Sequence, residues 1–344
     1  MALAELNDRE RMVLEAVIQT YVATAQPAGS RQLARRFNFG VSPATIRNTM
    51  SDLEEKGYLF HPHTSAGRVP TDVAYRAYVD SILPAQTFTN QDRDKLAQQI
   101  SSGGSAVETI LRRAAQSLGI ITQELGVALG PSFDASRLDR IELVRLSSDR
   151  LLVVISVQGG GVRTIYVDAR GEIADGALTE VSRVLNERLG GLTLREVRSS
   201  LAQRLRDAPA GAAELINVFV EEGEHIFDVA LDSANDVMLG AASMLAGQPE
   251  FANVDSMRRL VALTETRQYL AEVLRKRSDS SGVSITIGNE HGDPALENFT
   301  LVTAQYRVGS LNGVLGVIGP TRMPYDKIIS LVTHTSQLVT DLLD

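Results

Sequence analysis

SRQLARRFNFGVSPATIRNTMSDLEEKGYLFHPHTSAGRVPTDVAYRAYVD, residues 30–80, decides how this chain is read. Two short helical patterns flank a tight break. Ser30 caps the first, with Leu33, Ala34 and Phe37 on its inner face. Asn38-Phe39-Gly40-Val41 is the break, with a glycine where a helix-turn-helix needs a sharp turn. The second helix opens with Ser42 at the N-cap and Pro43 at the first helical position, where the missing N–H costs nothing. Ile46, Met50 and Leu53 share a buried face at helical spacing. Pro43, Ala44, Thr45, Arg47, Asn48 and Ser51 therefore point outward, mostly near the N-terminal end that a recognition helix presents to base edges. Gly57 stops the helix at C′.

Beyond Gly57, Tyr58-Leu59-Phe60 is extended, a polar tip carries Arg68, and the chain returns toward Pro70, which fits a β-wing. Most amphipathic helix pairs are packing units, and a fold alone never fixes function. Here the break, the cap, the outward Arg and Asn and a basic wing occur together. Arg and Asn grip guanine and adenine bidentately. The candidates for base reading are thus Thr45, Arg47 and Asn48, with Ser42 and Ala44 beside them. Arg31, Arg35 and Arg36 are candidates for phosphate anchoring, and Arg68 for a contact from the wing.

Arg31-Gln32-Leu33-Ala34, the run Val41-Ser42-Pro43-Ala44-Thr45-Ile46-Arg47-Asn48, Asp52-Leu53-Glu54 and the segment 63–71 resemble the HrcA family of heat-inducible transcription repressors. Near the other end, Leu301-Val302-Thr303-Ala304-Gln305-Tyr306 and the segment 313–325 resemble the carboxyl-terminal signature of the same family. The resemblance implies a homodimer that binds an inverted-repeat operator in double-stranded DNA and represses chaperone operons. It also implies dependence on the GroEL chaperonin, for which unfolded proteins compete on heating. For the body it implies a GAF-like sheet domain interrupted by a dimerising insertion. GAF-like domains bind small ligands, so a repressor gated by a metabolite is the alternative.

The formal net charge of −8 is unusual for a DNA-binding chain until it is divided. Residues 1–83 hold nine Lys/Arg and nine Asp/Glu, whereas the remainder holds 25 against 33. Between Ser30 and Arg76 there are seven basic and four acidic side chains. Phosphate affinity follows such a local patch and not the chain total. With no cysteine, disulfides and Cys-based zinc or redox sites are excluded. No apolar run is long enough to span a bilayer, and no secretory pattern opens the chain, so a cytoplasmic protein is expected.

The rest falls into alternating blocks. Asn7 and Glu10 form a capping box for a helix that completes a three-helix head, and 72–83 forms a closing helix. Breaks at 84–90 and 101–105 bracket a polar helix, which makes 84–104 the linker or hinge. From Gly126 the period changes to two, predicting strands over 127–129, 141–146, 151–157 and 162–167, with Gln158-Gly159-Gly160-Gly161 as a hairpin loop. Helices follow over 178–189, 194–205, 212–229 and 237–245, then a long helix over 254–277. Strands at 283–287, 301–308 and 313–318 and a last helix over 325–343 close the chain.

The expected fold class is α+β and multidomain: an N-terminal winged helix-turn-helix (1–83), a linker (84–104), a GAF-like domain in two parts (105–170 and 254–344), and between them an inserted, mainly helical dimerising domain (171–253). His61 and His63 lack a third ligand nearby, which speaks against a metal site. Gly288-Asn289-Glu290-His291-Gly292-Asp293-Pro294 offers groups for a cation or for acid–base work, but that density of turn residues fits a connection between strands better. Arg322, in the closing signature, belongs to a pocket, to an interface or to the sheet-to-helix corner. With no nucleophile or oxyanion arrangement, no enzyme is expected, and neither a catalytic group nor a cofactor is assigned.

Overall fold

A computed structural model of the chain describes residues 6–62, 67–82, 90–101, 107–132, 136–158, 162–168, 175–207, 213–221, 223–227, 237–277, 282–309 and 311–343. The head contains α1 (Asp8–Thr24), α2 (Ser30–Arg36) and α3 (Pro43–Glu55), then a ribbon of β1 (Leu59–Phe60) and β2 (Val69–Pro70). The two strands pair antiparallel, and Ala28, between α1 and α2, bridges to Arg68 as a third edge. Val13, Leu14, Val17 and Ile18 of α1 close over Leu33, Ile46, Met50, Leu53, Tyr58 and Leu59. The predicted capping box is present: Glu10 N–H donates to Asn7 and Asn7 N–H to Glu10, both at 3.0 Å. Gly40 and Gly57 have φ of +63° and +81°, so each turn sits in the region open to glycine without strain.

α4 (Asp72–Ala77) leaves the head and widens into one π turn, Tyr78–Ile82. Of the expected linker, the helix α5 (Asn90–Ser101) is described. It buries Leu96 and Ile100 in the same core as the body helices, and the rest of 84–104 lies outside the described residues.

The body is built around α6 (Val107–Thr122) and β3 (Leu125–Ser132). After β3 come β4 (Leu138–Arg145), β5 (Arg150–Val157) and β6 (Val162–Asp168), then α7 (Asp175–Leu189), α8 (Leu194–Leu205), α9 (Ala213–Glu221) and α10 (Gly223–Phe227). β7 (Val237–Leu239), α11 (Ser243–Ala246), α12 (Val254–Glu265), α13 (Arg267–Arg275), β8 (Val283–Ile287), β9 (Phe299–Val308), β10 (Leu311–Pro320) and α14 (Tyr325–Leu343) complete the chain.

An antiparallel five-stranded sheet runs β7-β3-β10-β9-β8. One face packs on α6 and α14 through Ala128, Val302, Ala304, Leu315 and Val317; the other packs on α12 and α13 through Val127, Leu129, Leu301 and Val314. Covered on both sides, β10 is buried at almost every position instead of alternating.

β4, β5 and β6 do not join this sheet. They form their own antiparallel sheet, and Leu138, Ile141, Leu151, Val153 and Ile155 pack under α7, α8 and α9 as a separate core. They lie between β3 and β7 in sequence, so strands expected to belong with 105–170 share their core with helices expected within 171–253. The reason is physical: alternation shows that a segment is a strand but not which strand it pairs with, because pairing is non-local. Val237–Leu239 is likewise a strand on β3, not the start of a helix. The predicted helix over 254–277 is broken at Thr266.

Candidate nucleic-acid interface

α3 forms from its own residues. Ser42 accepts the Thr45 N–H at 3.2 Å, Pro43 occupies the first turn, and Ile46, Thr49, Met50 and Leu53 are buried. The opposite face leaves Ser42, Ala44, Arg47 and Asn48 exposed and Thr45 half-buried, its hydroxyl 3.0 Å from that of Ser42. These residues come together on one ridge at the N-terminal half of α3. Arg31, Arg35 and Arg36 are exposed on α2, the helix packed beside α3, and the Arg36 guanidinium lies 5.4 Å from the centre of the Phe37 ring.

Arg68 stands apart from this ridge. Its guanidinium pairs with Glu54 of α3 at 2.6 Å, and His61 also bonds to Glu54. Arg68 thus clips the ribbon to the C-terminal end of α3, about two turns beyond Arg47. The ribbon tip, including His63, lies outside the described residues. Lys56 is committed as well: its ammonium is 2.8 Å from both oxygens of the buried Glu10, tying the end of α3 to the start of α1. The hydrogen bond from Lys56 holds the Glu10 carboxyl below the ordinary range, with help from the Asn7 N–H and against the opposing effect of burial.

The Gly288–Pro294 segment is a turn between β8 and β9 and serves the fold. Glu290 accepts from Arg76 and from the Ile287 N–H, Asp293 accepts from Tyr269 at 2.6 Å, and the His291 ring contacts the Phe299 carbonyl. Among the described residues no three His, Asp or Glu side chains gather as metal ligands. No described helix is long and apolar enough to cross a membrane.

Of the residues that seat the head on the body, sequence reasoning marked Arg322, with an interface among its readings, and the Gly288–Pro294 segment as a turn, but missed their partners in the head. Arg76 and Asp72 reach Glu290 and Asn289, Tyr75 packs on Tyr325 with ring centres 5.7 Å apart, and Arg322 donates to the Val22 carbonyl of α1 at 2.7 Å. Their partners are more than two hundred residues away in sequence, and no local pattern signals such a meeting.

The family model described as the HrcA protein C terminal domain matches residues 108–329, more than half of the chain. The chain belongs to the HrcA family. A heat-inducible transcription repressor HrcA from Chlorobium phaeobacteroides (strain BS1) is 40% identical, over 100% of both chains. Another of that name, from Geobacter sulfurreducens (strain ATCC 51573 / DSM 12127 / PCA), is 35% identical over 99% of each. HrcA relatives of this kind are transcription repressors and not enzymes. A solved structure described as that of a hypothetical protein shares the fold with a TM-score of 0.62 and 23% identity, covering 98% of this chain and 99% of that one.

Proposed function

We propose that this HrcA chain represses transcription of heat-shock genes, as its relatives' name describes, by docking two heads on an inverted-repeat operator. The head is a winged helix-turn-helix and α3 is its recognition helix. The observation that carries this reading is the exposed ridge of Ala44, Arg47 and Asn48, held at a capped helix end on a rigid three-helix core. Arg47 and Asn48 read base edges, with Thr45 and Ser42 alongside, while Arg31, Arg35 and Arg36 anchor phosphates. Arg68 acts from the wing only when its pair with Glu54 opens; while paired it sets the wing's angle on α3.

The body is a GAF-like domain, and its insertion makes the homodimer. The outer face of β4-β5-β6 supports this: Val144, Leu152 and Tyr166 lie opposite one another across the three strands, with Val154 beside Leu152 and Val162 farther along β6, opposite Ser156. Tyr166 is 67% and Val162 61% exposed, so the row lies open. An apolar row of this kind, framed on the same face by the ion pairs Arg140–Glu142 and Arg150–Asp168, fits the self-complementary contact of a two-fold dimer, which in turn sets a palindromic operator. The protein acts in the cytoplasm, where the GroEL chaperonin maintains its active form and heat withdraws that support.

Gel-shift titration with an inverted-repeat duplex from a chaperone operon, against a scrambled duplex, tests the reading with and without chaperonin. Selective binding that the chaperonin enhances supports it. Equal, weak binding to both duplexes removes the assigned operator.

A further inference from the structure

Where α6 ends and β10 turns into α14, the body holds a polar pocket of about 380 Å³, lined by Thr122, Gln123, Glu124, Gln248, Arg322 and Pro324 among others. Its unusual member is Glu124, a carboxyl only 3% exposed. The backbone makes room for it: a Cβ on Gly319 would lie 2.3 Å from Glu124 Oε2. Gln248 donates from its side-chain nitrogen to that carboxyl at 3.1 Å and to the Gln123 carbonyl at 2.8 Å. Burial drives the Glu124 pKa up to about 8, against the lowering effects of Gln248 and Arg322 and with a small further push from Glu250.

The arginine of the lining is already satisfied. Arg322 is bonded through Nε and Nη2 to both oxygens of Glu250, and through Nη1 to the Val22 carbonyl of the head. An incoming anion would have to displace Glu250 and then sit beside two acidic groups. An incoming cation meets a carboxyl that, among the described residues, makes no ion pair and feels Arg322 only through space, with Met244 and Pro324 also lining the pocket for an aliphatic stem. Buried polar groups converging on a cavity of this size are the usual form of a small-molecule site.

We propose that this pocket binds a small organic cation, an alkylammonium or guanidinium compound, on the Glu124 carboxylate, and that occupancy reaches the head through Arg322. Binding exchanges charge cleanly: Glu124 releases its proton to solvent, and the ligand's positive charge takes its place.

The test is thermal unfolding of the full-length protein with propylamine, 1,4-diaminobutane and ethylguanidine at constant ionic strength, with acetate and phosphate as the anion arm. The expected result is a saturable rise in Tm with the cations and none with the anions. Apparent affinity should increase about tenfold per pH unit between pH 6 and 7.5, because only ionised Glu124 binds. Glu124→Gln preserves the shape of the neutral acid and should fold normally yet lose the response. Amide exchange around Val22 should slow in the ligated wild type. A rise with anions, an undiminished response in Glu124→Gln, or no response to any cation at pH 8 would overturn the proposal. None of these readouts contains DNA, so they succeed or fail independently of the operator reading.

Discussion

Arg76, on the helix leaving the head, meets Glu290, in the turn after β8, through two hydrogen bonds of 2.7 and 2.6 Å across 214 residues of sequence. Arg76 also donates to the Ile285 carbonyl at 2.7 Å, and Asp72 accepts from the Asn289 backbone and side chain at 3.0 and 2.9 Å. This clasp holds α4 against the sheet edge. A bidentate arginine–carboxylate pair is among the stronger side-chain contacts, but partial exposure weakens it. Glu290→Ala should therefore cost about 1 kcal/mol of stability. Amide exchange in α4 and β8 should rise more than in α12 and α13; an equal rise everywhere would mean that the clasp does not seat the head.

The Glu10 pair gives a pH prediction. The folded carboxyl titrates below its ordinary 4.5, so its contribution is complete above that value and is lost as pH falls through the folded pKa. Glu10→Gln should be less stable than wild type at pH 7 by about 1–3 kcal/mol, since it removes the Glu10–Lys56 ion pair. The two unfolding curves should converge as pH falls through the lowered folded pKa of Glu10. Urea denaturation across pH 3–7 measures this directly.

Arg47→Ala should weaken operator binding by about 1–3 kcal/mol and relax specificity at one base position. Replacing Arg31, Arg35 and Arg36 one at a time should instead weaken all duplexes alike. Each should reduce the slope of log K against log salt by about one, as the loss of one phosphate contact does. Fluorescence anisotropy at several salt concentrations distinguishes the two classes.

On the open face of the insertion, Leu152→Lys with Tyr166→Asp should separate the dimer while leaving the separate core under α7 and α8 intact. Loss of well-packed apolar anchors at the centre of an interface commonly costs 2 kcal/mol or more, about thirtyfold in the dimer dissociation constant. Sedimentation equilibrium should show monomers with an unchanged circular dichroism spectrum. Operator affinity should fall along with the dimer.

What was legible in the sequence was local. Ser42, Pro43 and Gly57 mark both ends of α3, and Asn7 with Glu10 marks the start of α1, because caps are made by residues three or four apart. The ridge of Ala44, Arg47 and Asn48 follows from the same periodicity. Pairing between distant strands was not legible. Val237-Met238-Leu239 is too short an apolar run to distinguish strand from helix without knowing that Val127–Leu129 waits beside it. The alternation in β4 to β6 was visible, but not that these strands form a sheet of their own. Arg68 shows the same limit at the site: its charge was evident, and its capture by Glu54 was not.

The central claim is that α3, carried by a symmetric dimer, reads DNA sequence. Selection of binding duplexes from a random-sequence pool by the full-length protein tests this most directly. The account predicts enrichment of an inverted repeat of two half-sites, and loss of a defined base preference in each half when Arg47 or Asn48 is replaced by alanine. Failure to enrich any sequence, or an enriched motif that both alanine variants leave unchanged, would contradict it.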